Sequence, residues 1–273
     1  MASFVTSLSN AQIAALSTTT INSLRATDVQ ALTVSQIGAL SGTQLNNLSA
    51  AGEAALSVTQ ITGFNSQVAP SLSVTMILAL AVTQADAMTS SVLGGLTTSA
   101  LNSLTAAELQ GLSSSQVGGL TSTQISNLNT TFFTNLTTTA LGALSTTQLQ
   151  GLTTAQINGM TATMTALNAL KVARLSTTQL ANIATTTLNS LSTTQVQSLS
   201  STQVAALTST EVNALSTSNI QAIASNAFTG MTTTTISQMT TTALNSLSTT
   251  QIYTGVDSAR LLEIFDRAHP RAH

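Results

Sequence analysis

Residues 144–160 read LSTTQLQGLTTAQINGM, two copies of an eight-residue unit followed by the first residue of a third. Each unit runs apolar, Ser or Thr, two small polar residues, Gln, apolar, polar, small. Position 1 falls on Leu8, Leu16, Leu24 and Leu32 and continues in step to Met160. One residue is then lost, and the register resumes at Leu167 and runs to Leu247, giving 31 units. Position 6 (Ile13, Ile21, Val29, Ile37, Leu45 and onward) is apolar except at Glu53, with Met164 taking its place in the shortened unit.

This period excludes the two simplest structures. Eight residues advance an α-helix about 80° beyond two full turns, so the apolar positions of one long helix would spiral around it. On a strand, spacings of five and three put positions 1 and 6 on opposite faces. The chain must therefore change direction once per unit.

The polar residues show how it does so. Position 2 is Ser, Thr or Asn in 27 of the 31 units, the side chains that best cap a helix N-terminus. Three residues on comes position 5, most often Gln, which completes the Ser/Thr-x-x-Gln capping box, and the apolar residues at 1 and 6 sit where a hydrophobic staple forms. Asp28, Glu108 and Glu211 occupy the Gln position, where a carboxylate meets the positive end of the helix. The small residue at position 8 suits a left-handed helix end. The expected fold class is all-α, a solenoid of very short capped helices with one helix per repeat. No such helix is stable alone in water, so neighbours must stack. A β-solenoid is the alternative, favoured by the abundant Thr, Val and Ile.

The expected organisation is a repeat solenoid over 1–256, with a register shift near 160–167, followed by an amphipathic capping helix and tail over 257–273. Residues 257–273, DSARLLEIFDRAHPRAH, carry three of the six basic residues, three of the eight acidic ones and both histidines. A helix over 257–268 would end before Pro270. Residues 1–7 read as a partial unit with Phe4 and Val5 as its apolar pair. In the unit containing Glu53, a local shift would turn Glu53 outward and Ala54 inward. Pro70 predicts a kink or a looser coil. Lys171 and Arg174 fall on one helical face at the register shift and read as a solvated pair. Phe132, Phe133 and Phe228 read as larger core plugs or lateral contacts.

Charged residues make up 5% of the chain against 42% apolar, and the net charge is −2. Neutral hydroxyls and amides must therefore cover the surface, and weak charge favours self-association. Only Arg25, Lys171 and Arg174 are basic before residue 260, so no patch for nucleic acid exists in the array. Cysteine is absent, which removes disulfides and thiolate metal sites. The first residues, MASFVTSLSN, lack the basic segment of a cleavable secretory signal. The longest apolar run, 76–82, is far short of the ~18 residues that span a membrane. Catalysis needs convergent titratable groups; the acids are scattered singly and no Ser has a base nearby. We expect no enzyme activity and no catalytic, cofactor-binding or metal-binding residues. His269 and His273 straddle Pro270 and make a poor metal pair.

The phrases LSTTQLQGLTTAQING and LSTTQVQSLSSTQVAAL, and the array of residues 8–254 in general, resemble octapeptide-repeat regions of large bacterial surface proteins of adhesin type. That resemblance implies an extracellular or cell-surface spacer or fibre. The functional expectation is a structural protein, a rod-like subunit stacking head to tail with copies of itself into a filament, sheath or surface layer. The alternatives are a module presenting Ser and Thr rows to ice, a polysaccharide such as a surface glycan, or a mineral, and a spacer segment of an adhesin.

Overall fold

A computed structural model describes residues 3–255, with side chains described through residue 252. Its described residues hold 29 α-helices of four to seven residues and three short 3-10 segments, with no strand. The chain is therefore an all-α array of tandem short helices, and the β-solenoid alternative is excluded. By its contacts the chain divides into two compact units, Met1–Leu144 and Ser145–His273. The expected helix over 257–268 lies outside the described residues.

The unit at Leu144 shows how eight residues build each step. Ser145 is extended (φ −69°, ψ 163°) and its hydroxyl accepts the N–H of Gln148, while the Gln148 Oε1 accepts the N–H of Ser145 at 2.8 Å. Both halves of the capping box are thus made, and helix Thr146–Gly151 follows. The helix stops because Leu152 turns extended (φ −66°, ψ 135°) and Thr153 stays extended as the next cap. Two extended residues between helical segments supply the change of direction. The sequence points to a left-handed residue at position 8; the structure instead shows no positive φ at any described residue, glycine included.

The small residues at position 8 answer a different need, that of close approach. A Cβ on Gly63 would stand 2.6 Å from the carbonyl of Val34, and one on Gly230 would strike the carbonyl of Ser201. Burial follows the unit: in 144–151 positions 1, 5 and 6 are buried, while 2, 3 and 4 face solvent. In each compact unit the core is a file of position 1 and position 6 side chains, Leu93 and Leu96 among them in the first and Leu149 and Leu152 in the second.

Stacking repeats at long range. In the first unit helix Asn10–Ala14 lies against Val34–Ala39, and Ser90–Gly95 against Ser114–Gly118. In the second, Thr193–Gln197 lies against Thr217–Ala222. Each pair is three repeats apart.

The irregular units are accommodated locally. At 64–71 the 3-10 segment Ala69–Ser71 carries Pro70 in its first turn, and Val68 and Ala69 fill the buried fifth and sixth positions. The lost residue after Met160 is absorbed by the 3-10 segment Thr161–Ala166, with Met164 fully buried in the sixth position. A 3-10 turn uses three residues where an α-turn uses 3.6, so the segment shortens without breaking the stack.

Two local expectations are corrected. Glu53 is 7% exposed and points inward, whereas Ala54 is exposed. The Ser49 cap on the N–H of Gly52 and the buried Leu56 fix that helix at both ends, so it cannot roll. Phe4 is 49% exposed, and Val5 alone fills the buried sixth position of its partial unit.

Candidate functional site: the seam between successive coils

The recurring chemistry of this fold is a hydrogen-bond seam built on Gln at position 5, present in 13 of the 31 units. The Gln60 Oε1 accepts the N–H of Ser57 at 2.8 Å, closing its own capping box, while its Nε2 donates to the carbonyls of Val29 and Leu32 at 2.7 Å each. Those carbonyls lie 31 and 28 residues earlier. The same pair of reaches recurs at Gln36 (Val5, Leu8), Gln84 (Glu53, Leu56), Gln124 (Leu93, Leu96) and Gln251 (Ile220, Ile223). At Gln179 the spans shrink to 30 and 27, because the lost residue lies between partners. The reach runs from position 5 back to positions 6 and 1, and the helices themselves stack three repeats apart, so a coil takes about three repeats.

One amide side chain therefore does two jobs. Its oxygen starts a helix, and its nitrogen fastens that helix to the coil before. At Gln60 the nitrogen thereby gives the buried carbonyl of Leu32 a partner, and a buried carbonyl left unpaired is costly. Glu108 and Glu211 do only the first job: each carboxylate accepts the N–H and the hydroxyl of its cap, Thr105 or Thr208, at 2.6–2.9 Å, and has no N–H to send backward. Ala81 lacks a capping oxygen, so only the Gln84 half of its box exists.

A second device appears where position 5 has no Gln. The Asn46 Nδ2 donates to the carbonyl of Ser71 at 2.7 Å, and its Oδ1 accepts the N–H of Ser73 at 2.8 Å. The unit opening at Ser73 carries Met76 where Gln would stand. The same substitution of partner holds for Asn102 with Asn129 (Phe132 in the Gln position) and Asn158 with Ala184 (Thr187). It holds again for Asn189 with Ser216 (Asn219) and Asn213 with Thr240 (Ala243). In all five the asparagine occupies position 7 of a unit, and the cap N–H that it serves lies 26 or 27 residues on. In these five units the N-cap N–H is met by Asn from the preceding coil, where elsewhere Gln meets it from within the unit. Reading the repeat alone misses this, although the signal is present: Asn at position 7 is followed about 27 residues later by a unit without its Gln.

Charge is placed sparingly on this seam. The Arg25 guanidinium, 3.0 Å from Asp28, and then the Ser3 hydroxyl hold the Asp28 carboxyl well below the usual carboxylate range. Burial pushes the Glu53 carboxyl upward. Asp86 is also raised, first by burial and then by the nearby Glu108 carboxylate. Lys171 is partly buried and lowered by that burial, while Arg174 is exposed. Three of the aromatic residues fill sites in the core: Phe132 and Phe133 meet edge to face at 5.5 Å, and Phe228 is fully buried.

The arrangement brings together backbone amides, carbonyls and side-chain amides, and no convergent acid, base and nucleophile. A cleft of about 590 Å³ between coils is lined by Thr193, Gln197, Ser218, Gln221 and Ser248 among others, with no titratable side chain. Among the described residues no group of three or more His, Cys, Asp or Glu could hold a metal ion. Among them, too, no helix is long and apolar enough to cross a membrane. His269 and His273 lie outside the described residues.

Comparison with known proteins adds two findings. The family model described as the ALTTAQ repeat matches residues 172–209 and 180–217, two placements one eight-residue unit apart. The chain thus contains a region of that repeat type. A tyrosine recombinase, XerC of Rhizobium meliloti (strain 1021), is 93% identical over 22 residues, 8% of this chain and 7% of the recombinase. So short a match says nothing of the recombinase's activity here.

Proposed function

We propose that this chain is a structural protein whose coils assemble with those of other copies, head to tail, into an extracellular filament, sheath or surface layer. The observation that carries this reading is the polarity of every coil. One edge presents Gln Nε2 donors, and the opposite edge presents the carbonyls that such donors seek, as Gln60 does with Val29 and Leu32. The two edges are unlike and complementary wherever position 5 is Gln. A contact between unlike surfaces is heterologous, and it propagates as an open fibre unless it closes into a ring. A net charge of −2 over 273 residues offers little repulsion against such stacking. Placement at the cell surface rests on the likeness to octapeptide repeats of adhesin type.

A module matching its Ser and Thr rows to ice, glycan or mineral has less support. The position 2 hydroxyls are occupied as caps, as Ser145 and Thr153 are. With helices stacked three repeats apart, positions 3 and 4 turn to a different face from one unit to the next, and a given face carries them from every third unit alone. Sedimentation and negative-stain microscopy across a concentration series test the filament reading. Fibres of uniform width that grow with concentration are expected; monodisperse particles at every concentration would overturn it.

A further inference from the structure

Asp86 stands where the seam places asparagine. It is position 7 of its unit, as Asn46, Asn158, Asn189 and Asn213 are of theirs. Each of those asparagines donates Nδ2 to the carbonyl 25 residues on, or 24 across the shortened unit: Ser71, Asn182, Ala214 and Gln238. For Asp86 the residue 25 on is Gly111, the last of helix Ala106–Gly111. The carboxyl lies against that glycine so closely that a Cβ there would overlap both of its oxygens. Among the described residues, the Asp86 Oδ1 is the buried side-chain oxygen with no hydrogen-bond partner.

The surroundings are hostile to a negative charge. Asp86 caps the C-terminal end of helix Val82–Ala85 and abuts the C-terminal end of Ala106–Gly111, and both ends carry partial negative charge. Of the elements packed on Val82–Ala85, Ala106–Gly111 contributes the Glu108 carboxylate and Val58–Ile61 contributes no titratable group. Gln116, whose Nε2 donates to the Asp86 carbonyl at 2.9 Å, is neutral. No cation faces the site among these.

We propose that the Asp86 carboxyl is a pH-operated latch between helix Val82–Ala85 and the end of helix Ala106–Gly111. Protonated, it donates its O–H to the carbonyl edge of that helix as the asparagine amides do. Ionised, it gives its proton to solvent, has only acceptors to offer, and the two coils separate more readily. The device goes beyond any structural function of the array, because it makes one coil contact respond to acidity while its neighbours do not.

The test is amide hydrogen exchange on the full chain between pH 7 and pH 5, corrected for the intrinsic rate, with Asp86→Asn beside it. In the wild type, protection of amides in 82–88 and 106–113 should rise on acidification, by up to about tenfold for each pH unit that the folded-state carboxyl is displaced upward. Asp86→Asn should show the protected state at both pH values. The same pair in a Glu53→Gln background removes the other raised carboxyl as a source of the effect. Acid-strengthened protection that persists in Asp86→Asn, or protection at these segments that is flat with pH in the wild type, would overturn the proposal.

Discussion

Replacing Gln60 by Glu separates the two jobs of the seam residue. The carboxylate keeps an oxygen for the Ser57 N–H, so the capping box survives. The Nε2 bonds to the buried carbonyls of Val29 and Leu32, 2.7 Å each, are lost. Two such bonds contribute about 1 kcal/mol each, and bringing a carboxylate against carbonyls adds about 1 more, for roughly 3 kcal/mol at pH 7. Gln60→Ala should cost about as much, having lost the same two donors and the cap acceptor besides. Only Gln60→Glu should recover on acidification, because a protonated acid can donate one bond again. Gln12 is the internal control: it is exposed, and the bonds it makes are those of its own capping box with Ser9. Gln12→Glu should therefore shift stability by less than about 0.5 kcal/mol, as exposed sites do. Urea unfolding followed by far-UV circular dichroism measures the difference, and hydrogen exchange locates it if the array opens in parts. Equal effects of the two Glu substitutions, or a Gln60→Glu cost below about 0.5 kcal/mol, would refute the account of the seam.

Asn189→Ala removes the acceptor of the Ser216 N–H and the donor to the Ala214 carbonyl, a loss of about 1–2 kcal/mol. Adding Asn219→Gln lets a longer amide reach the Ser216 N–H from within the unit and should return about 1 kcal/mol; a double-mutant cycle showing simple additivity would disprove the exchange of partners. Glu53→Leu should raise stability at pH 7 by about 1–3 kcal/mol, since the site is buried and apolar elsewhere in the array. Its folded carboxyl binds protons more tightly than the unfolded one, so wild-type stability falls as pH rises from the ordinary Glu range through the raised value. The gap between variant and wild type should accordingly narrow as pH is lowered toward that range, and a gap equal at pH 7 and pH 4.5 would contradict the assignment.

What could be read from sequence was what the chain settles within a few residues. Ser145 and Gln148 are three apart, and a capping box needs nothing else, so helix starts and the inward Leu144 and Leu149 were legible. The bonds from Gln179 to Leu149 and Leu152 were not. Their span depends on how far each unit turns relative to the last, which is set by the backbone angles at the bend, with no residue type standing for them. Gly63 and Gly230 carried a signal that admits two meanings, a left-handed helix end or a close backbone approach, and the structure selects the second. Glu53 misled for another reason. A carboxylate is expected to escape the core, but the repeats on either side hold the register, and the helix keeps its face inward at the charge's expense.

The seam also sets the scale on which this array is cooperative. Capping boxes couple residues three apart and could in principle let each unit fold by itself. A helix of four to seven residues is far below the length that is stable in water, so that local coupling is insufficient. The non-local side-chain bonds close only across some three to four repeats, as from Asn46 to Ser71 and from Gln36 to Leu8. The smallest piece with an inter-coil contact is thus about four repeats, and the thermodynamic unit is the coil of about three repeats instead of the octapeptide. Substitutions at position 5 should then act on the interface between coils, whereas those at position 2 act within one step of one coil. This difference explains how the chain tolerates Ala at Ala81, Ala184 and Ala224 in the cap position. A missing cap oxygen weakens one short helix, but the coil above and below still holds it.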